Sequence, residues 1–396
     1  MLTIEEIYKA QNVLKDVARH TKLVPAALRE DAQVFLKPEC LQLTGSFKLR
    51  GAYYKISQLT PEEKSRGVIA CSAGNHAQGV ALGATRAGIK SLICLPSGAP
   101  ISKVEATKRF GAEVCLVQGV YDDAYAKAIE LRDKYGYTLV HPFDDPLVIT
   151  GQGTIGLEIL QDLPDADIIV VPVGGGGLIS GVAFAAKTLN PKIKVYGVQA
   201  EGAPSMASSL ECHRRIHLNN VSTIADGIAV KEPGINTFDF CNRYVDGIVT
   251  VSEDEIAAAI LNLIEKQKLV AEGAGAVSVA AVMFNKIPVK DKKVVCLVSG
   301  GNIDVTILSR VINRGLTVGG RLSTLTINLA DKPGQLSGVC KVIAELGGNV
   351  ISVVHDRMDS HNSINGCVIR IELETRNADH IREIKDGLNE EGYQVM

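Results

Sequence analysis

Ile168-Ile169-Val170-Val171-Pro172-Val173-Gly174-Gly175-Gly176-Gly177-Leu178-Ile179-Ser180 is the stretch whose reading decides the fold. The apolar, mostly β-branched run 168–173 predicts a strand buried on both faces, and residues 178–189 carry a helical period. Four glycines directly between strand and helix let backbone N–H groups wrap a phosphate at the positive helix end. The rival reading is a dinucleotide fingerprint, with Glu201 ending the next strand about where a ribose acid would sit. The pattern G-x-G-x-x-G fails in both registers, reaching Ile179 from Gly174 and Ser180 from Gly175. A monophosphate anchor is the better reading.

Outward from this stretch the alternation continues. Strand-length apolar runs at 67–71, 91–95, 195–199 and 294–299 are interspersed with helix-period segments at 75–87, 103–110, 122–134 and 252–265. Strands and helices in alternation predict an α/β fold of βαβ units around parallel sheets across residues 1–315. The glycine-rich segment 313–321 is weakly periodic and predicts a linker, narrowed to 316–321.

A chain of 396 residues predicts two or three domains. Lys and Arg total 42 against 44 acidic residues, which offers no basic field to nucleic acid or anionic lipid, so a small zwitterionic or uncharged ligand is expected. Nine cysteines, odd in number and mostly inside apolar runs such as Val294-Val295-Cys296-Leu297-Val298, predict reduced thiols in a cytoplasmic setting. Cys212, His213 and His217 make the tightest metal-like cluster but lack a fourth spaced ligand, so no metal site is expected. Met1 to Ala10 reads as an amphipathic helical start without the regions of a signal peptide. No apolar run reaches about 18 residues, so no membrane span is expected.

Three further segments carry chemistry. Thr44-Gly45-Ser46-Phe47-Lys48-Leu49-Arg50-Gly51 sets a lysine just inside a helix start, with Ser46 as candidate N-cap. The positive helix end disfavours an ammonium there, and a neutral amine is what attacks an aldehyde. On this segment alone an ordinary solvated lysine is the better reading. Ser72-Ala73-Gly74-Asn75-His76-Ala77-Gln78-Gly79 follows strand 67–71 and opens a helix. It is either a cradle of N–H groups for a carboxylate, with Asn75 placed to bond a ring hydroxyl, or a capping turn. Ser299-Gly300-Gly301-Asn302 ends another buried strand, at an edge where α/β proteins bind ligands. Ser299 there suits a pyridine nitrogen as a neutral partner, which leaves the ring a weaker electron sink and favours elimination; a small-residue turn is the alternative.

In this order the four segments resemble the fold-type-II pyridoxal-phosphate enzymes, and within them the serine/threonine dehydratase family, over most of residues 1–315. The resemblance implies a tryptophan-synthase-β-like fold with a smaller subdomain, about residues 52–150, inserted in the larger. It implies pyridoxal 5'-phosphate as cofactor, Lys48 as the catalytic lysine that carries it, and Phe47 against its ring. Asn75 would contact the 3-hydroxyl, Gly174, Gly175, Gly176, Gly177 and Leu178 the phosphate, and Ser299 the ring nitrogen. Ser72, Ala73, Gly74, Asn75 and His76 would surround the substrate carboxylate. Ala225-Asp226-Gly227 and Ala271-Glu272-Gly273-Ala274-Gly275 resemble segments lining the cofactor site, which adds Gly227 and Glu272. The implied activity is deamination of L-threonine to 2-oxobutanoate and ammonia by β-elimination, with L-serine as a secondary substrate, in a homodimer or homotetramer. Two departures choose among relatives. Serine racemases carry a second serine where this chain has Ala73, and without a proton donor on that face racemisation should be poor. Some racemase-type relatives bind a divalent cation through acids after the strand at 195–199, and Gln199 departs from that pattern.

Past the linker, strand 322–329, helix 335–346, strand 349–355, strand 366–374, helix 379–391 and strand 393–395 predict a ferredoxin-like βαββαβ unit over 322–396. Its layout, the turn Asp331-Lys332-Pro333-Gly334-Gln335-Leu336 and Gly348-Asn349-Val350-Ile351 resemble ACT domains, the small amino-acid-sensing modules. That resemblance implies a small-molecule effector held near Asp331, Gly334, Leu336 and Asn349.

Overall fold

The strand that delivers the glycines, Ile168–Pro172, sits inside a six-stranded sheet ordered Val24–Ala26, Gln33–Pro38, Lys293–Val298, Ile168–Pro172, Lys194–Ala200, Gly247–Val251. All neighbours run parallel except the first pair. The strand is buried along its whole length, because helices Pro146–Asp162 and Gly177–Leu189 contribute Ile155, Ile159, Ile179 and Val182 to one core with Val295 and Leu297 of the next strand. The helix Gly273–Met283 is apolar on all sides and correspondingly enclosed; Ser278 Oγ, its one polar hydroxyl, donates to Leu297 O at 2.8 Å.

A second, four-stranded sheet is ordered Glu113–Val117, Ser91–Pro96, Val68–Cys71, Thr138–Leu139, with every pair parallel. Its own core runs from Ala52 through Val68, Ala77, Val80 and Ile93 to Val148. The helix Lys48–Ser57 joins the two layers. Gly79 of helix Asn75–Arg86 lies against its first turn, where a β-carbon would stand 3.0 Å from the Lys48 carbonyl carbon. Two residues beyond Lys48, the guanidinium of Arg50 is fully enclosed and bonds both oxygens of Glu39, at 2.8 and 2.9 Å, and both oxygens of Glu158, at 2.6 and 2.9 Å. Lys37 Nζ completes this buried quartet on Glu158 at 2.5 Å.

This computed structural model describes residues 2–357 and 365–396, so only Met1 of the predicted N-terminal start lies outside it; that start is the helix Ile4–Leu14. The chain divides into two units, Met1–Asp304 and Val305–Met396. In the second unit an antiparallel sheet is ordered Asn349–Asp356, Gly366–Glu374, Leu322–Ala330, Gln394–Val395. Alternate residues Leu325, Ile327, Leu329 and Cys367, Ile369, Ile371, Leu373 share one core with helices Gln335–Glu345 and Ala378–Glu390. This is the ferredoxin-like order predicted from sequence. The predicted linker at 316–321 is corrected: helix Val305–Val318 takes up its first half, leaving Gly319, Gly320 and Arg321 outside. Val311 and Gly315, four residues apart, both face inward, and the surrounding glycines masked that helical period. The helix predicted over 252–265 starts at Glu253 and is α-helical to Asn262, then widens into a π turn, Leu263–Gln267.

Candidate active site

Four loops leave the carboxyl ends of two pairs of neighbouring parallel strands. In the larger sheet these are the glycines after Ile168–Pro172 and Ser299-Gly300-Gly301-Asn302 after Lys293–Val298. In the smaller sheet they are Ser72-Ala73-Gly74 after Val68–Cys71 and His141-Pro142-Phe143-Asp144 shortly after Thr138–Leu139. Lys48 Nζ donates to Pro142 O at 2.7 Å. The next residue, Phe143, lies on the glycine loop: a β-carbon at Gly175 would stand 2.4 Å from its ring, and one at Gly177 2.7 Å from its carbonyl oxygen. The lysine amine and the glycine loop therefore share one dipeptide as a neighbour. Gly177 opens its helix, so its N–H and the two that follow are groups the helix leaves without internal acceptors, at its positive end. Asp144 fixes this arrangement by accepting from Ile235, Asn236 and Thr237 N–H groups at 2.9, 3.0 and 3.2 Å, while Thr237 Oγ1 donates to Gly175 O at 2.6 Å.

The remaining residues close a circuit. Phe47 N–H donates to Ser299 O at 3.1 Å, and the Phe47 ring centroid is 5.3 Å from Lys48 Nζ. Ser299 is buried, with its hydroxyl 3.3 Å from Ala274 O. Asn75 Nδ2 donates to Glu272 Oε1 at 2.6 Å, and Asn302 Nδ2 donates to Asn75 Oδ1 at 2.8 Å and to Thr44 O at 2.7 Å. Gly227 faces the same carboxyl, where a β-carbon would meet Glu272 Oε1 at 3.4 Å; Gly174 abuts the adjoining Ile228. Burial pushes the Lys48 amine down to about 8 against the opposing pull of the Glu272 carboxylate. Burial also pushes Glu272 up to about 7, reinforced by Asp226 and opposed by the bond from Asn75. Near neutral pH the carboxyl is thus about half neutral and the amine about one-tenth neutral, far more than an ordinary glutamate or lysine.

Several residues sit otherwise than their type suggests. Ser46 is not the helix cap: the helix starts at Lys48 with Phe47 before it, and Ser46 Oγ is buried without a partner. The His76 ring turns inward, with Nε2 2.8 Å from Val140 O, and burial pushes it down to about 3, so it stays neutral; its helix-start backbone, not its ring, borders the loop. The Leu178 side chain packs into the core of the larger sheet. Ser72 Oγ accepts from Gly74 N–H at 3.1 Å, Ala73 packs on the smaller core, and Gly74 faces open space. Gln199 braces the strand before the glycines, donating to Val173 O at 3.1 Å. Sequence reasoning missed Pro142, Phe143 and Thr237 and gave Asn302 no role; the signal for the first two was their place just beyond a strand's carboxyl end. In the second unit, Asp331, Gly334 and Leu336 line a cavity of about 390 Å³. Asn349 does not: it bonds Glu374 at 2.7 Å at the far end of the sheet.

A cradle that β-carbons would fill, a lysine amine with a depressed pKa, a strand-end serine and an unpartnered buried hydroxyl at Ser46 fit a phosphate, an aldehyde and a heteroaromatic ring. This defines a lysine-dependent α/β enzyme built around a phosphorylated aldehyde cofactor. Residues 14–300 match the family model described as pyridoxal-phosphate dependent enzyme, and the chain belongs to that family. It is 51% identical to the L-threonine ammonia-lyase of Thermotoga maritima, over 100% of this chain and 99% of that one. Among solved structures it resembles the processed form of threonine deaminase isoform 2 from Solanum lycopersicum, at 40% identity and a TM-score of 0.74, covering 78% of this chain and 93% of that one. It also resembles maize serine racemase, at 34% identity and a TM-score of 0.75, covering 80% and 98%.

Proposed function

We propose that this chain deaminates L-threonine to 2-oxobutanoate and ammonia by β-elimination, and L-serine to pyruvate as a secondary activity. The observation that carries the reading is the Lys48 amine bound to Pro142 while Phe143 lies on the glycine loop. The N–H groups and Thr237-braced backbone of the loop hold the cofactor phosphate, and Ser299 meets the ring nitrogen without charging it. When bound, pyridoxal phosphate supplies the electron sink that makes the substrate Cα proton removable. Lys48, neutral in an appreciable fraction, takes that proton from one face. The open space beside Gly74, bordered by Ser72 and the helix start at Asn75, receives the substrate carboxylate. Ala73 offers no proton donor at its own position, where serine racemases carry a second serine, so loss of the β-hydroxyl rather than re-protonation follows.

Serine racemisation is the alternative, favoured by the structural likeness to maize serine racemase. Purified protein should show a visible cofactor band that changes on adding L-threonine, with 2-oxobutanoate released. Lys48→Ala should abolish both, and turnover by that variant would overturn the reading. Release of D-serine from L-serine faster than pyruvate would favour the racemase.

The same proposal includes a cytoplasmic oligomer, a homodimer or homotetramer, and a small effector bound at the turn bearing Asp331, Gly334 and Leu336. Among the described residues no helix is long and apolar enough to cross a membrane. Removing residues 320–396 should spare catalysis and abolish the effector response; loss of both or of neither would count against it.

A further inference from the structure

We infer that Asp331, His355 and Cys367 form a binding site for a thiophilic divalent cation such as zinc(II), at one end of the sheet in the second unit. The site is independent of the deaminase reading. Antiparallel pairing brings the three together: Cys367 is opposite Leu329, His355 opposite Ile369, and Asp331 N–H bonds Asn365 O just beyond the same strand ends. Their ligand atoms all lie within 4.8 Å of one another. Nitrogen, oxygen and sulfur ligands about 2.0–2.3 Å from one tetrahedral ion stand roughly 3.6 Å apart, so side-chain rotations closing about 1 Å complete the shell.

The donor set selects the metal. Thiolate with imidazole and one carboxylate suits zinc-like ions, whereas calcium and magnesium need oxygen ligands throughout. Cys367 is buried at 2% exposure, while Asp331 and His355 are reachable from solvent. Binding breaks the Cys367 S–H bond, forms a sulfur–metal bond and releases the proton to water, so affinity falls at low pH. Arg357 Nε sits 3.1 Å from Asp331 Oδ2, where it supplies the positive charge the metal would bring. A cation must displace it. Three protein ligands leave one position open toward the cavity, which Lys332 and Gly334 also line, so a small molecule there and the metal are coupled. Asp331 and His355 stand 24 positions apart in the chain and Cys367 follows 12 later, so no local motif betrays the site; the expectation of no metal rested on the cluster Cys212, His213 and His217.

The test is cobalt(II) titration of the full-length, cofactor-loaded, thiol-reduced protein, followed through its visible d–d bands, with zinc(II) as competitor. One ion per chain is expected, with the band intensity of a tetrahedral thiolate site. His355→Ala, an exposed change that keeps the core intact, and Cys367→Ser should each weaken binding by about tenfold or more. Arg357→Ala should tighten it by freeing Asp331. Cys212→Ser, which removes an exposed thiol near His213 and His217, should leave it unchanged. Absence of saturable binding, binding indifferent to His355→Ala, binding lost with Cys212→Ser, or an Arg357→Ala variant that binds no better would each overturn the proposal.

Discussion

Asn75 Nδ2 donates to Glu272 Oε1 across 2.6 Å, tying a helix of the smaller sheet to a loop of the larger. The other end of the same amide accepts from Asn302 Nδ2 at 2.8 Å, and Asn302 is itself anchored on Thr44 O. An asparagine amide has distinct donor and acceptor ends, so Asn302 decides which end of Asn75 faces the cofactor site. Asn302→Ala should weaken cofactor binding by about 1–2 kcal/mol, roughly 5–30-fold, while leaving Lys48 in place. Titration of apoenzyme with pyridoxal phosphate measures this, and unchanged affinity would remove Asn302 from the positioning role.

Lys48 titrates in a field set chiefly by burial and, in the opposite sense, by Glu272. Only the neutral amine captures an aldehyde, so the rate at which apoenzyme takes up pyridoxal phosphate should rise with pH to a midpoint about 8, against about 10.4 for an ordinary lysine. Glu272 draws a proton toward the amine. Glu272→Gln should therefore move the midpoint to lower pH, and a shift to higher pH in rapid-mixing absorbance traces would contradict the assignment.

How much of this was legible in sequence depended on whether a residue's role is local. The strand Ile168–Pro172 and its glycines announce themselves, because a run buried on both faces followed by four glycines has few other uses. Lys48 is legible only together with the three other segments, since its own segment fits an ordinary solvated lysine. Pro142 and Phe143 were not, since they follow a strand of only two residues, Thr138–Leu139, too short to show a period and held by pairing with Val68 and Ile69. His76 marks the other limit: residue type placed it in the loop, but packing turned its ring to Val140. Likewise Ser46 has the chemistry of a cap, and the helix begins one residue too late to use it.

Two glycines of the site separate cofactor binding from substrate binding. At Gly175 a β-carbon would stand 2.4 Å from the Phe143 ring, whereas at Gly74 nothing lies within 4 Å. Gly175→Ala should displace Phe143 and cost most of the cofactor affinity, read as loss of the visible band at saturating protein. Gly74→Ala should keep that band and the melting temperature but raise KM for threonine several-fold, because the methyl group enters the space assigned to the substrate carboxylate. An unchanged KM would move the carboxylate elsewhere.

Arg50 holds the helix that begins at Lys48, and its loss should be felt as stability before it is felt as chemistry. Its guanidinium also donates to Arg19 O at 3.0 Å and Thr154 Oγ1 at 3.2 Å, and its removal takes away the ion pair of enclosed Glu39 and leaves Glu158 with Lys37 alone. Breaking one partner of a buried ion pair costs about 3–5 kcal/mol, and Arg50→Met should lower the unfolding free energy by that order in urea. Arg50→Lys should recover little, since one ammonium cannot span both Glu39 and Glu158. In the wild type, burial pushes the Glu39 carboxyl up, but the bonds and charge of Arg50 outweigh it and hold the group below the ordinary glutamate range. Its contribution is therefore complete above about pH 4.3 and drains away as pH falls below that value. Arg50→Met should flatten that acid limb, and a variant as acid-sensitive as the wild type would show that Glu39 draws its stabilisation from another source.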